Sequence, residues 1–183
     1  MVLLHSPPGE LGASAPDFAL PGVDGKTHTL DEYRDSPVLV VMFICNHCPY
    51  VQAIEDRLIT LGRTLATKKV SFVGISSNDP TNYPEDSFAN MQAKAKKKGY
   101  PFDYLYDATQ QTAKDYGAVC TPDFFVYDQE RKLRYRGRLD DSPRNPAAVR
   151  KEELKEAILA LLEGRPVATH QNTTMGCSIK WKE

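Results

Sequence analysis

Pro37-Val38-Leu39-Val40-Val41-Met42-Phe43-Ile44 is a nearly unbroken apolar run, and it passes directly into Cys45-Asn46-His47-Cys48-Pro49. A run of this length reads as a strand buried on both faces of a sheet. The residues after it read as a helix: Val51, Ile54, Leu58, Leu61 and Leu65 recur at helical spacing from Cys48 to about Ala66. Pro49 falls in the first turn, where a missing N–H costs little. A buried strand feeding a helix restricts the chain to layered α/β folds and sets two thiols one turn apart at the helix start. There the first backbone N–H groups are unpaired and the macrodipole favours negative charge. A thiolate is therefore expected at Cys45, which ends the strand and is taken as the exposed sulfur, with Cys48 close enough to close a disulfide. His47, when protonated, is expected to lower the Cys45 pKa further. Asn46, His47 and Pro49 are candidate modulators of this pair.

A CxxC pair also serves as half of a structural zinc site, which needs four ligands, usually from two such pairs. Cys120 and Cys177 are single and distant, and His5, His28 and His170 form no spaced pair. Redox chemistry is therefore the expectation, with no metal. A soft-metal binder using Cys45, Cys48 and either His47 or Cys120 is the alternative from another class.

At 183 residues the chain can bury one sizeable core and is short for two domains. A single domain over 1–183 is expected, with 165–183 as a C-terminal tail. The formal net charge of −1 gives no reason to expect nucleic acid or an anionic membrane as partner. Lys94-Ala95-Lys96-Lys97-Lys98 precedes Gly99 and reads as a solvated helix C-terminus. Met1 to Gly12 lacks the basic and apolar regions of a secretory leader, and no apolar run reaches the ~18 residues of a membrane helix. A cytoplasmic address is expected, where a CxxC is more often catalytic than structural.

Elsewhere strands and helices alternate. Asp17–Leu20 and Thr27–Leu30 flank Asp24-Gly25 and read as an N-terminal hairpin. Val70–Ser76 is a second buried strand, followed by a turn-rich stretch and a helix over Glu85–Lys98. A short helix at Thr109–Tyr116 ends at Gly117. Strands Phe124–Tyr127 and Leu133–Arg138 form a second hairpin. Pro146 is expected to open the last helix, which Gly164 ends, and the tail shows little periodicity. The order implies an α/β fold with a mixed central β-sheet flanked by helices.

Val119-Cys120-Thr121-Pro122-Asp123 precedes the Phe124 strand, an unusual place for a proline because it lacks a ladder donor. With the CxxC at a helix start, this Thr-Pro resembles the thioredoxin-like fold. The resemblance implies that Pro122 is cis and packs on the CxxC, and that Thr121 offers backbone bonds to substrate. Gly12-Ala13-Ser14-Ala15-Pro16-Asp17-Phe18, the Asp24-Gly25-Lys26 turn and an insert from Asn78 to Asp103, after the second core strand, are similar to the peroxiredoxin-like and TlpA-like branch. Gly176-Cys177-Ser178-Ile179-Lys180-Trp181-Lys182 is similar to the end of bacterial peroxiredoxin-like proteins.

The chain departs from both patterns. With Cys48 in the peroxidatic position, the family's Thr is Cys45, its upstream Pro is Val41 and its Arg is Pro122. Arg138 is a candidate replacement from the next strand. Relative to thioredoxins, the Trp before the first Cys is Ile44 and the buried strand Asp is Leu39. The leading reading is a thiol–disulfide oxidoreductase whose only redox group is a Cys45–Cys48 disulfide. Cys45 attacks a substrate disulfide and Cys48 resolves the adduct, with a thiol reductant as second partner. A His before the second Cys is expected to raise the potential into the interval from about −270 to about −120 mV. A thiol peroxidase acting on hydroperoxides is the alternative. Cys120, beside Thr121, is either a buried apolar filler or a third thiol. Cys177 is either a surface thiol or packed beneath Trp181.

Overall fold

The computed structural model describes residues 3–182. Its strands are β1 (Leu3–His5), β2 (Ala19–Pro21), β3 (Thr27–Thr29), β4 (Leu39–Phe43), β5 (Ser71–Ser76), β6 (Asp103–Tyr106), β7 (Cys120–Thr121), β8 (Asp123–Tyr127), β9 (Leu133–Gly137) and β10 (Met175–Ser178). Its helices are α1 (Pro49–Ala66), α2 (Phe88–Lys98), α3 (Gln111–Asp115) and α4 (Glu153–Leu162).

The apolar run 37–44 becomes β4, and all five of its residues are buried. It lies at the centre of a five-stranded sheet ordered β6-β5-β4-β8-β9. β5 pairs with it in parallel (Val41 opposite Val73) and β8 antiparallel (Val41 opposite Phe125), so the sheet is mixed. Alternation along β4 divides the core. Val38, Val40, Met42 and Ile44 pack with Val51, Ile54, Leu58 and Leu65 of α1, Met91 of α2, and Leu154 and Ile158 of α4. Leu39, Val41 and Phe43 pack on the other face with Phe18, Leu20, Ala113 and Tyr116. The N-terminal hairpin is present as β2 and β3, joined in antiparallel register.

Some expectations need correction. The insert is a crossover: α2 leads to β6, which pairs in parallel with β5 and widens the sheet. Its first turn, Pro84–Asp86, is 3-10, and the α-helix begins at Phe88. Gly99, at φ 62, ends α2, but the lysines before it are not all solvated, since Lys94 and Lys98 pair with the buried Glu55 at 2.9 and 3.1 Å. Pro146 opens only a short 3-10 turn, and α4 starts at Glu153. The break arises because Val149 is extended and the Asp141 carboxylate takes the Arg150 and Lys151 N–H groups at 2.9 and 3.2 Å. Finally, the aperiodic tail carries β10, which pairs with both β1 and β7 in a separate three-stranded sheet.

Candidate active site

Past Ile44, whose N–H donates to Ile75 at 3.0 Å, the chain leaves the sheet and turns into α1. Asn46 pins this turn. Its side chain donates to the Glu85 carbonyl at 2.8 Å and accepts from the Tyr104 hydroxyl at 3.1 Å. Gln52 and Lys94 donate to its carbonyl at 2.9 and 3.1 Å. The Asn46 and His47 N–H groups converge on one oxygen of Asp86 at 2.7 and 3.1 Å. The other oxygen meets His47 Nδ1 at 2.5 Å and Asn78 Nδ2 at 2.7 Å. Asp86 is fully buried, and His47 stacks on Tyr83 with ring centroids 4.5 Å apart.

Cys48 is the N-cap of α1. The neighbouring Cys45 thiol, and after it the Cys177 thiol, favour the ionised form of Cys48 against its burial and hold its pKa at about 4. When protonated, Cys48 donates to the Thr121 carbonyl at 3.2 Å. Cys45 lies 3.4 Å from the Thr121 hydroxyl and 3.9 Å from His47 Nδ1. Burial, its hydrogen bond to Cys48 and the nearby Asp86 charge push its pKa well above the ordinary thiol range.

The surroundings of the two sulfurs favour a thiol at Cys45 and a thiolate at Cys48, the opposite direction to the one expected. Nor is Cys45 exposed, as both sulfurs are buried at 2% and 0%. His47 acts on Cys45 less directly than expected, since its Nδ1 is held by Asp86.

The Thr121–Pro122 bond is cis. Pro122 lines a cleft of about 270 Å³ with Tyr50, Ile54, Leu139 and Met175. Thr121 is 2% exposed, is the register partner of Cys177 in β10, and accepts from Cys48. The chain's own strand thus occupies the residue expected to receive substrate.

Cys120 precedes Thr121 in β7 and so points to the opposite side. It is fully buried, and burial together with the Asp123 charge pushes its thiol up to about 12. Cys177 is not a surface thiol: it is 1% exposed and lies beside Cys48.

Arg138 lines the Pro122 cleft, but its Nε and Nη2 bind Glu153. Arg136 is on the far face, 2.8 Å from Asp123 and stacked 4.5 Å from the Phe125 ring centre. The donor atoms of Cys45, His47 and Asp86 lie within 4.8 Å of one another. The trio differs from the set expected for a soft ion by replacing Cys48 and Cys120 with a carboxylate that already holds His47.

Sequence reasoning missed Asp86 and Cys177. Asp86 sits in a turn-rich insert with nothing local to mark it. The signal for Cys177 was its preceding glycine: a Cβ at Gly176 would lie 2.0 Å from the Thr121 carbonyl oxygen.

A solved structure of a conserved protein from Geobacillus kaustophilus is 49% identical, covering 100% of this chain and 97% of that one at a TM-score of 0.95. The thiol–disulfide oxidoreductase ResA of Geobacillus thermodenitrificans is 23% identical over 126 residues, covering 68% of this chain and 67% of its own. The chloroplastic peroxiredoxin Q of Populus jackii is 27% identical over 106 residues, covering 58% of this chain. That match spans 46% of the peroxiredoxin Q chain, less than half its length. The fold is the thioredoxin-like one, with a mixed central sheet flanked by helices. Residues 11–136 match the AhpC/TSA family model. The chain belongs to the AhpC/TSA family of thioredoxin-like redox proteins.

Proposed function

We propose that the chain is a thiol–disulfide oxidoreductase that works by cycling Cys45 and Cys48 between dithiol and disulfide. The observation that carries this reading is the placement of both cysteines at the start of α1 against the cis Thr121–Pro122 pair, with Cys45 Sγ 3.4 Å from the Thr121 hydroxyl and Cys48 Sγ 3.2 Å from the Thr121 carbonyl. The Cys48 thiolate attacks a disulfide RS–SR′, forming Cys48–S–S–R and releasing R′S⁻. Cys45 then attacks Cys48, its proton passes to the departing RS⁻, and the Cys45–Cys48 bond closes. Two electrons move from protein to substrate, and a thiol reductant restores the pair. Tyr50 and Pro122 in the adjoining cleft are the surfaces a substrate meets on approach. Asn46, His47 and Pro49 fix the turn that carries the two thiols.

A second reading, hydroperoxide reduction at Cys48, is favoured by the capping position of that sulfur and by the family. It is opposed by the engagement of the nearby arginines elsewhere, Arg138 with Glu153 and Arg136 with Asp123 on the far face. The test is the second-order rate of hydrogen peroxide with the reduced protein beside its rate with a small aromatic disulfide. A peroxide rate near that of a free thiolate, with fast exchange closing Cys45–Cys48, supports the exchange reading. A peroxide rate orders of magnitude higher makes the protein a peroxidase.

A further inference from the structure

β10 lies across the two sulfurs of the centre. Its Cys177 is the register partner of Thr121, and residues opposite each other in a ladder project from the same side. Thr121 turns its hydroxyl to Cys45 at 3.4 Å, so Cys177 projects into the same space. There its thiol and its backbone N–H both reach the Cys48 sulfur. The approach depends on residue 176, where a Cβ would lie 2.0 Å from the Thr121 oxygen and 3.1 Å from the Pro122 nitrogen. Hydrogen bonds from Ile179 N to Val119 O and from Ser6 N to Thr174 O, both 3.0 Å, fix the strand at either end.

We propose that Cys177 is a third redox thiol of this centre, which takes over the Cys45–Cys48 disulfide as a Cys48–Cys177 disulfide. This rests on the dithiol reading above. Cys177, on losing its proton, attacks the Cys48 sulfur. The Cys48–Cys177 bond forms, the Cys45–Cys48 bond breaks, and the electron pair leaves on Cys45, which takes up the proton. One disulfide is present before and after, so no oxidant or reductant is consumed. Cys48 is the shared atom because its sulfur meets both other thiols. The exchange returns Cys45 as a thiol beside Thr121 and His47 and fastens β10 to the start of α1. Cys120 cannot substitute, because it faces away.

The test oxidises the reduced wild type and the Cys45→Ser, Cys177→Ser and doubly substituted proteins with glutathione disulfide. The products are trapped by acid and alkylation, and unreduced digests are mapped by mass spectrometry. In the wild type, Cys45–Cys48 and Cys48–Cys177 peptides are expected together, a readout that needs no variant to fold. Cys45→Ser is expected to close Cys48–Cys177, and the double variant to stop as a glutathione adduct on Cys48. The proposal is overturned if the wild type lacks the Cys48–Cys177 peptide and Cys45→Ser stops as the adduct. With Cys45–Cys48 still closing in Cys177→Ser, that result leaves the dithiol reading intact. Should Cys177→Ser also fail to close Cys45–Cys48, the dithiol reading falls with the proposal.

Discussion

Cys45 and Cys48 carry the same side chain three positions apart, yet their surroundings displace their acidity in opposite directions. The reduced protein is expected to show one thiolate in its ultraviolet absorbance, titrating near pH 4, that disappears in Cys48→Ser. Cys45→Ser should move that midpoint upward, since the Cys45 thiol is the leading donor to Cys48. The linkage sign follows from the depressed folded value: the Cys48 thiolate contributes stability in full above the ordinary thiol value of 9.0 and loses it as pH falls to about 4. Denaturation of reduced wild type and Cys48→Ser across this window checks it, and the gap between them should widen with pH. The difference is the quantity to read, because Asp123, raised to about 6 by burial, bends the absolute curve the other way between 3.8 and about 6. A potential between about −270 and about −120 mV is still expected, now carried by the donors around Cys48 more than by His47. At this scale the two cysteines and the cis proline were legible in the sequence. The direction in which the two sulfurs' acidities separate was not, because it depends in part on Cys177, brought beside Cys48 from far along the chain.

Among the elements, β10 shows why part of the site was illegible. Met175-Gly176-Cys177-Ser178 has neither the alternation nor the β-branched content of a strand. It exists because β1 and β7 offer edges on both sides. Gly176→Ala is expected to lift the strand from Thr121 and cost about 1–3 kcal/mol, with faster alkylation of Cys45 and Cys48 as the second readout. The insert matters similarly through Asp86. Asp86→Ala would leave buried donors from Asn46, His47 and Asn78 unmet. It is expected to cost about 3–5 kcal/mol, measured by urea unfolding. The β4–α1 unit, by contrast, was readable almost to the residue, since a buried strand and an amphipathic helix each declare their period.

In the whole molecule, two buried charge systems lie on opposite sides of the central sheet. Asp86 with His47 sits beside the thiols, and Asp123 with Arg136 lies on the Phe125 face. Arg136→Met is expected to lower stability by about 3–5 kcal/mol, because it strands the Asp123 carboxylate, while leaving the peroxide rate unchanged. A large loss of that rate would show that this arginine reaches the reaction. The sheet order, hairpin and family were legible because they rest on local patterns. The convergence of β1 and β10 on β7 was not, because it joins residues far apart in sequence. That convergence also sets an order in time. During synthesis at about 5–20 residues per second, residues 175–178 emerge on the order of ten seconds after Cys48. Until then the nascent chain carries its two reactive thiols without the strand that later buries them, and its first oxidation can precede its own completion.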